Sequence, residues 1–178
     1  MEIQTSDKFI EFLKSRKSIR NFIFKKIDND TIRDILECGR WAPSGQNNQP
    51  WKVTIVIHPT VKRMLAELTT SGGIIESAYV NLAVFLDLEK IYDRVKDIQS
   101  IGAFIENILL AVHAKGLGAV WIGEILKNKE KVNEIFKYTY KKYELMGVIA
   151  IGVIDEAMEK KNEEPRIRML LDEFIEWF

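Results

Sequence analysis

The sequence predicts an α+β fold, with helices packed on a small sheet around one hydrophobic core. Two observations point there. Helical segments outnumber strand-like ones, and the two kinds alternate irregularly rather than in a regular βαβ series. At 178 residues, with no repeat, low-complexity tract or Pro/Gly/Ser-rich linker, residues 1–178 read as a single domain.

The elements follow in order. Residues 7–17 read as a helix capped by Thr5 or Ser6, with Phe9, Phe12 and Leu13 as its apolar stripe. A second helix is expected over 31–39, where Asp30 stands at the start and Ile32, Ile35 and Leu36 carry the i, i+3, i+4 spacing. Residues 42–50, Ala-Pro-Ser-Gly-Gln-Asn-Asn-Gln-Pro, break all periodicity and read as a loop. The β-branched run 51–57 predicts a strand, and Pro59 opens a helix whose face is Val61, Met64, Leu65 and Leu68. Residues 79–86 form a second strand, apolar enough to be buried on both faces. The strongest helix covers 100–115, with Ile101, Ile105, Ile108, Leu109 and Val112 inward and Gly116 as its stop. A short strand at 119–122, a helix at 128–136 and a strand at 146–154 come next. A charged segment then leads through Pro165 into a final amphipathic piece.

Bulk properties exclude several classes. Hydrophobic residues make up 47% and charged residues 29%, and the formal net charge is zero. That leaves no basic footprint for nucleic acid and no like-charge tail. A single cysteine, Cys38, excludes an internal disulfide framework; its place in a helix suggests a buried packing role. Charges at Glu2, Asp7, Lys8, Glu11 and Lys14 exclude a signal-peptide core, and the longest apolar run, 146–154, is too short to span a membrane. A cytoplasmic protein is expected. His58 and His113 lack ligand-spaced partners, so no metal site is expected, and no G-x-S-x-G elbow, P-loop or H-E-x-x-H is present.

Four patterns could carry chemistry. Arg16, Lys17, Ser18 and Arg20 set two guanidinium groups, an ammonium and a hydroxyl at a helix end. Such a set suits a phosphate dianion, or equally a solvated helix terminus whose cations complement the dipole. The loop with Pro43, Ser44, Gly45 and Asn47 offers free backbone N–H groups and short polar side chains between two prolines. It can lie against a flat heteroaromatic ring, or serve only as a rigid turn. Residues 116–123, Gly-Leu-Gly-Ala-Val-Trp-Ile-Gly, fail as a dinucleotide fingerprint: the first glycines follow a helix, and Trp121 holds the sixth position. What remains is a helix stop and a strand whose end, at Ile122 and Gly123, can present backbone donors. Arg166 and Arg168 point the same way in an extended segment, to reach one phosphate or to form a surface pair.

Taken in order, these patterns resemble the nitroreductase family almost end to end. The opening basic motif is similar at Arg16, Lys17, Ser18 and Arg20, and the proline-serine loop at Pro43, Ser44, Asn47, Gln49, Pro50 and Trp51. The helix stop resembles Asn107-Ile108-Leu109 through Gly116-Leu117-Gly118, and the closing basic pair Arg166 and Arg168. The resemblance implies a small, mostly antiparallel sheet flanked by helices, in an intertwined homodimer with FMN at the interface. It further implies that Arg16, Ser18, Arg166 and Arg168 hold the phosphate and ribityl chain, with Lys17 also a cofactor-binding residue. Arg20 would approach the pyrimidine end, Pro43, Ser44, Gly45 and Asn47 would pack on the ring from the partner subunit, and Ile122 and Gly123 would face its edge.

The activity so implied is NAD(P)H-dependent reduction of nitroaromatics, quinones or similar flat acceptors by a ping-pong mechanism. No side chain acts as catalytic acid or base, because the cofactor carries the redox chemistry. Flavin-fragmenting and reductively dehalogenating members of the family, and a non-enzymatic flavin carrier or sensor, are the alternatives. The stretch 58–100 is compact beside larger relatives, and no flavin contacts are assigned there. Where those relatives place an acidic residue, this chain has Gly123.

Overall fold

A computed structural model describes residues 3–162 and 165–178; of the charged segment before Pro165, Glu163 and Glu164 lie outside them. Seven helices and five strands follow in the described residues: α1 (Ile3–Ser15), β1 (Phe22–Ile23), α2 (Asn29–Arg40), β2 (Trp51–Val56), α3 (Pro59–Ala66), α4 (Gly72–Ser77), β3 (Val80–Asp87), α5 (Arg94–Ala114), β4 (Gly118–Ile122), α6 (Lys129–Ile135), β5 (Tyr143–Ile154) and α7 (Glu156–Lys161). None of the helices is long and apolar enough to cross a membrane.

The sheet is wholly antiparallel. β5 is its hub: it pairs with β3 along one edge, with β4 through Gly118↔Gly152 to Ile122↔Val148, and with β1 at its last two residues. β2 continues the sheet beyond β3. Every residue of β3 is buried, as a strand covered on both faces requires. Its period-two alternation divides the core. Leu82, Val84 and Leu86 face α2 and α5, against Ile35, Ile105 and Ile108; Ala83 and Phe85 face the other layer, against Leu65, Ile75 and Val132. Burial of each such large side chain contributes on the order of 1.5–3 kcal/mol.

Most expected elements are present, with instructive shifts. α1 is already under way at Ile3, so Thr5 and Ser6 lie within it and not at its cap. α2 starts at Asn29 because Asp28, not Asp30, caps it: Asp28 Oδ1 accepts from Thr31 N at 2.7 Å. α5 begins at Arg94, earlier than 100, because its first turn buries an aspartate, Asp97, which hydrophobic periodicity cannot register. β5 reaches back to Tyr143 through a bulge where the register slips between Val84 and Phe85 opposite Gly147. β1, α4 and α7 are too short to produce a periodic signal.

One expectation is corrected. Cys38 is exposed, not buried, since the inner face of α2 is Ile32, Ile35 and Gly39, and Cys38 falls outside that stripe. The final piece after Pro165 is extended, interrupted by a 3₁₀ turn, Leu171–Glu173. Its apolar side chains, Ile167, Leu171, Phe174 and Trp177 among them, stand in solvent.

Candidate cofactor-binding site

The basic residues from the two ends of the chain meet. Segment 16–21 leaves α1 and runs beside β4, held by Ile19 N donating to Ala119 O at 2.9 Å. Gly118 makes this close approach possible: a Cβ there would sit 2.6 Å from Ile19 Cγ2. The glycine motif after α5 thus has two uses, a helix stop at Gly116 with φ +68° and a backbone without side chain against which Ile19 packs.

From the other end, Arg166 reaches the C-terminus of α1. Its Nη1 donates to Lys14 O at 2.7 Å and its Nη2 to Arg16 O at 2.7 Å, satisfying carbonyls that the helix leaves open. Arg16, Lys17, Ser18, Arg20, Arg166 and Arg168 consequently line one open hollow of about 520 Å³, with Asn21 and Glu159. Glu159 Oε1 accepts from Arg20 N, Asn21 N and Asn21 Nδ2 (2.8 Å), pinning the turn that aims Arg20. The concentration of positive charge is felt by His113, packed on Phe12 and bonded to Ser15 Oγ at 2.7 Å. Burial first, then the charges of Arg16 and Arg166, press its pKa below the ordinary histidine value.

A second hollow of about 620 Å³ adjoins the first through Arg20 and Asn21 and extends to Thr70, Ser71 and Gly73 at the start of α4. Behind this rim lies the end of β4. Glu124, next to Gly123, accepts from Thr69 Oγ1 at 2.7 Å and Thr70 N at 3.1 Å. These bonds, with Lys127 beside them, hold its carboxyl down to about 2. Ile122 is buried, and Gly123 lies at the turn that follows. Neither Ile122 nor Gly123 is among the residues that line the two hollows; the corner meets the rim through the bonds of Glu124 to Thr69 and Thr70.

The proline-serine loop lies elsewhere. None of Pro43, Ser44, Gly45 or Asn47 lines either hollow. The loop is a tight, largely self-bonded turn. Asn47 N donates to Ser44 O, Gln49 N donates to Ser44 Oγ at 3.1 Å, and Gln46, Asn47 and Gln49 have φ of 53°, 55° and 48°. Asparagine tolerates the left-handed region better than most residues, which suits Asn47, whereas Gln46 and Gln49 hold it at a cost. Asn48 anchors the loop through Nδ2, which donates to Asp97 Oδ1 at 2.7 Å and Lys90 O at 2.9 Å.

Asn21, Glu159, Thr69, Thr70, Glu124 and Asp97 belong to no motif in the sequence. Each acts through a bond to a residue distant in the chain, for which local spacing holds no signal.

An α+β fold with an open basic cleft built from residues near both ends of the chain defines the class of protein. The nitroreductase family model matches residues 13–74 and 71–153. The chain belongs to the nitroreductase family.

The crystal structure of a Desulfovibrio desulfuricans protein, described as a nitroreductase in complex with FMN, superposes with a TM-score of 0.87. It is 34% identical, over 95% of this chain and 96% of that one. Proteins of Archaeoglobus fulgidus and Methanothermobacter thermautotrophicus, both described as NADH dehydrogenase/NAD(P)H nitroreductases, are each 33% identical over 116 residues, 64% of this chain. The match spans 66% and 60% of their own lengths, short of two thirds of either.

Proposed function

We propose that the protein is an FMN-dependent oxidoreductase that uses NAD(P)H to reduce nitroaromatics, quinones or similar flat acceptors, the two substrates taking turns in one cleft of a homodimer. The observation that carries this reading is the convergence of Arg16, Arg20, Arg166 and Arg168 on one open hollow. The donor set fits the cofactor. Guanidinium groups, an ammonium and the Ser18 hydroxyl match a phosphate dianion and a polyol, and the hollow is of ligand size.

FMN, when bound, supplies the transfer of electrons from nicotinamide to acceptor. The chain's own residues do the holding. Arg16, Lys17, Ser18, Arg166 and Arg168 would grip the phosphate and ribityl chain. Arg20, aimed by Glu159, would place positive charge by the pyrimidine end, favouring anionic reduced flavin. The Ile122–Gly123 corner would offer backbone donors to the ring edge.

Pro43, Ser44, Gly45 and Asn47 would complete the site from a partner subunit. Two features support pairing: the loop's separation from the basic cleft of its own chain, and exposed apolar groups on α1 and the C-terminal segment. The names of the archaeal relatives and the FMN complex of the Desulfovibrio protein support the same reading.

A double variant, Arg16→Ala with Arg168→Ala, tests it by FMN titration. Each charge-assisted bond contributes on the order of 1.5–3 kcal/mol, so affinity is expected to fall about a hundredfold or more. Unchanged affinity, with the circular dichroism of the folded protein retained, would contradict the assignment.

A further inference from the structure

Asp97 is fully buried and bears no relation to the basic cleft, yet its carboxylate collects several bonds from segments near the Pro43–Asn48 loop. Oδ1 accepts from Asn48 Nδ2 at 2.7 Å. Oδ2 accepts from Tyr92 N at 2.9 Å and Asp93 N at 3.0 Å. Burial opposes its charge, and the bonds from Asn48, Asp93 and Tyr92 outweigh that, so Asp97 ionises below the ordinary aspartate range.

Two of the loop's contacts with the body lead to this carboxylate. One is Asn48. The other is Gly45, whose α-carbon lies so close to the Tyr92 ring that a Cβ there would collide with the ring and its hydroxyl. Tyr92 is fixed at its backbone by Asp97 Oδ2. Meanwhile the loop holds Gln46, Asn47 and Gln49 in left-handed conformations, each costing free energy that outside contacts must offset.

We propose that Asp97 is a positioning residue for flavin binding: through Asn48 and Tyr92 it fixes the shape in which the Pro43–Asn47 loop meets the flavin ring. This rests on the reading of the protein as an FMN enzyme. It also assigns a role within the stretch 58–100, where sequence comparison offers no contacts. Asp97 acts on the ring, whereas Arg16 and Arg168 act on the phosphate, and the two effects separate by choice of ligand.

The test measures dissociation constants of FMN and of riboflavin, which lacks the phosphate, for four proteins: wild type, Asp97→Asn, Asn48→Ala, and Arg16→Ala with Arg168→Ala. In Asp97→Asn, the bonds from Asn48 and from the Tyr92 and Asp93 N–H groups can no longer all be satisfied, because the residue now has one acceptor oxygen and one donor nitrogen. Both flavins are expected to bind tenfold or more weakly, by the same factor, with urea unfolding confirming a folded protein. Asn48→Ala removes the loop's own end of the link, the amide that donates to Asp97 Oδ1 and Lys90 O, so it too is expected to weaken both flavins by a common factor. The arginine variant is expected to lose far more affinity for FMN than for riboflavin.

Wild-type affinity in folded Asp97→Asn, wild-type affinity in folded Asn48→Ala, or a loss confined to FMN in either would each overturn the role of Asp97. A wild-type protein that binds neither flavin would overturn the underlying FMN reading as well, and so is distinct from those three outcomes.

Discussion

Arg166 bonds to the backbone of Arg16 across the length of the chain: its Nη2 donates to Arg16 O at 2.7 Å while its Nη1 donates to the carbonyl of Lys14. One guanidinium thus closes the C-terminus of α1 and brings the terminal segment to the opening basic motif. Replacing Arg166 by Ala is expected to free both segments, weakening FMN binding at least tenfold and costing roughly 1–3 kcal/mol of stability. Arg166→Lys keeps the charge but not the two-pronged geometry and should recover only part of the affinity. Isothermal titration and urea melts would measure both quantities; affinity for FMN unaffected by Arg166→Ala would refute the coupling.

Gly118 is the second point of control. Gly118→Val should push Ile19 and the segment behind it away from β4, destabilising the fold by about 1–3 kcal/mol and weakening FMN binding. Urea denaturation and flavin titration on the same preparation test this, and a variant with wild-type behaviour in both would show that the close approach is dispensable.

Acid stability should depend on Glu144. It is bracketed by Arg94, at 2.7 and 3.1 Å, and Lys129, at 3.0 Å. The Arg94 bond foremost, aided by Lys129 against the cost of burial, brings its pKa from 4.5 to about 2. Because the folded-state value is the lower one, the stabilisation is complete above 4.5 and is lost as pH falls toward 2. Glu144→Gln should flatten stability across that window by on the order of 1–2 kcal/mol after solvent screening, measured by thermal melts at stepped pH. Identical pH profiles for wild type and variant would exclude it.

Self-association should depend on α1. Phe9 is 59% exposed and Leu13 40% exposed on a helix whose inward face rests on His113 through Phe12. Phe9→Asp with Leu13→Asp is expected to shift the protein from dimer to monomer in sedimentation velocity, with loss of FMN affinity. A monomeric wild type that binds FMN tightly would contradict the shared site.

What the sequence disclosed follows from how local each signal is. The buried faces of β3 and α5 were legible because they rest on apolar periodicity. The basic residues at 16–20 and 166–168 were legible as residue types, though their meeting was implied by resemblance and is visible only in three dimensions. Asp97 and Glu124 were opaque. A buried carboxylate bonded to backbone N–H groups looks, in sequence, like any solvated acid. Cys38 misled for a related reason: helix membership does not fix which face a residue occupies, and Gly39 holds the inward place.

The most direct measurement is an absorbance titration of the purified, desalted protein with FMN, followed by anaerobic addition of NADH or NADPH. The expected result is one retained FMN per chain, with a perturbed visible band that bleaches on adding nicotinamide faster than free FMN does. Protein that remains colourless after FMN loading and desalting would contradict the cofactor site built from Arg16, Arg20, Arg166 and Arg168.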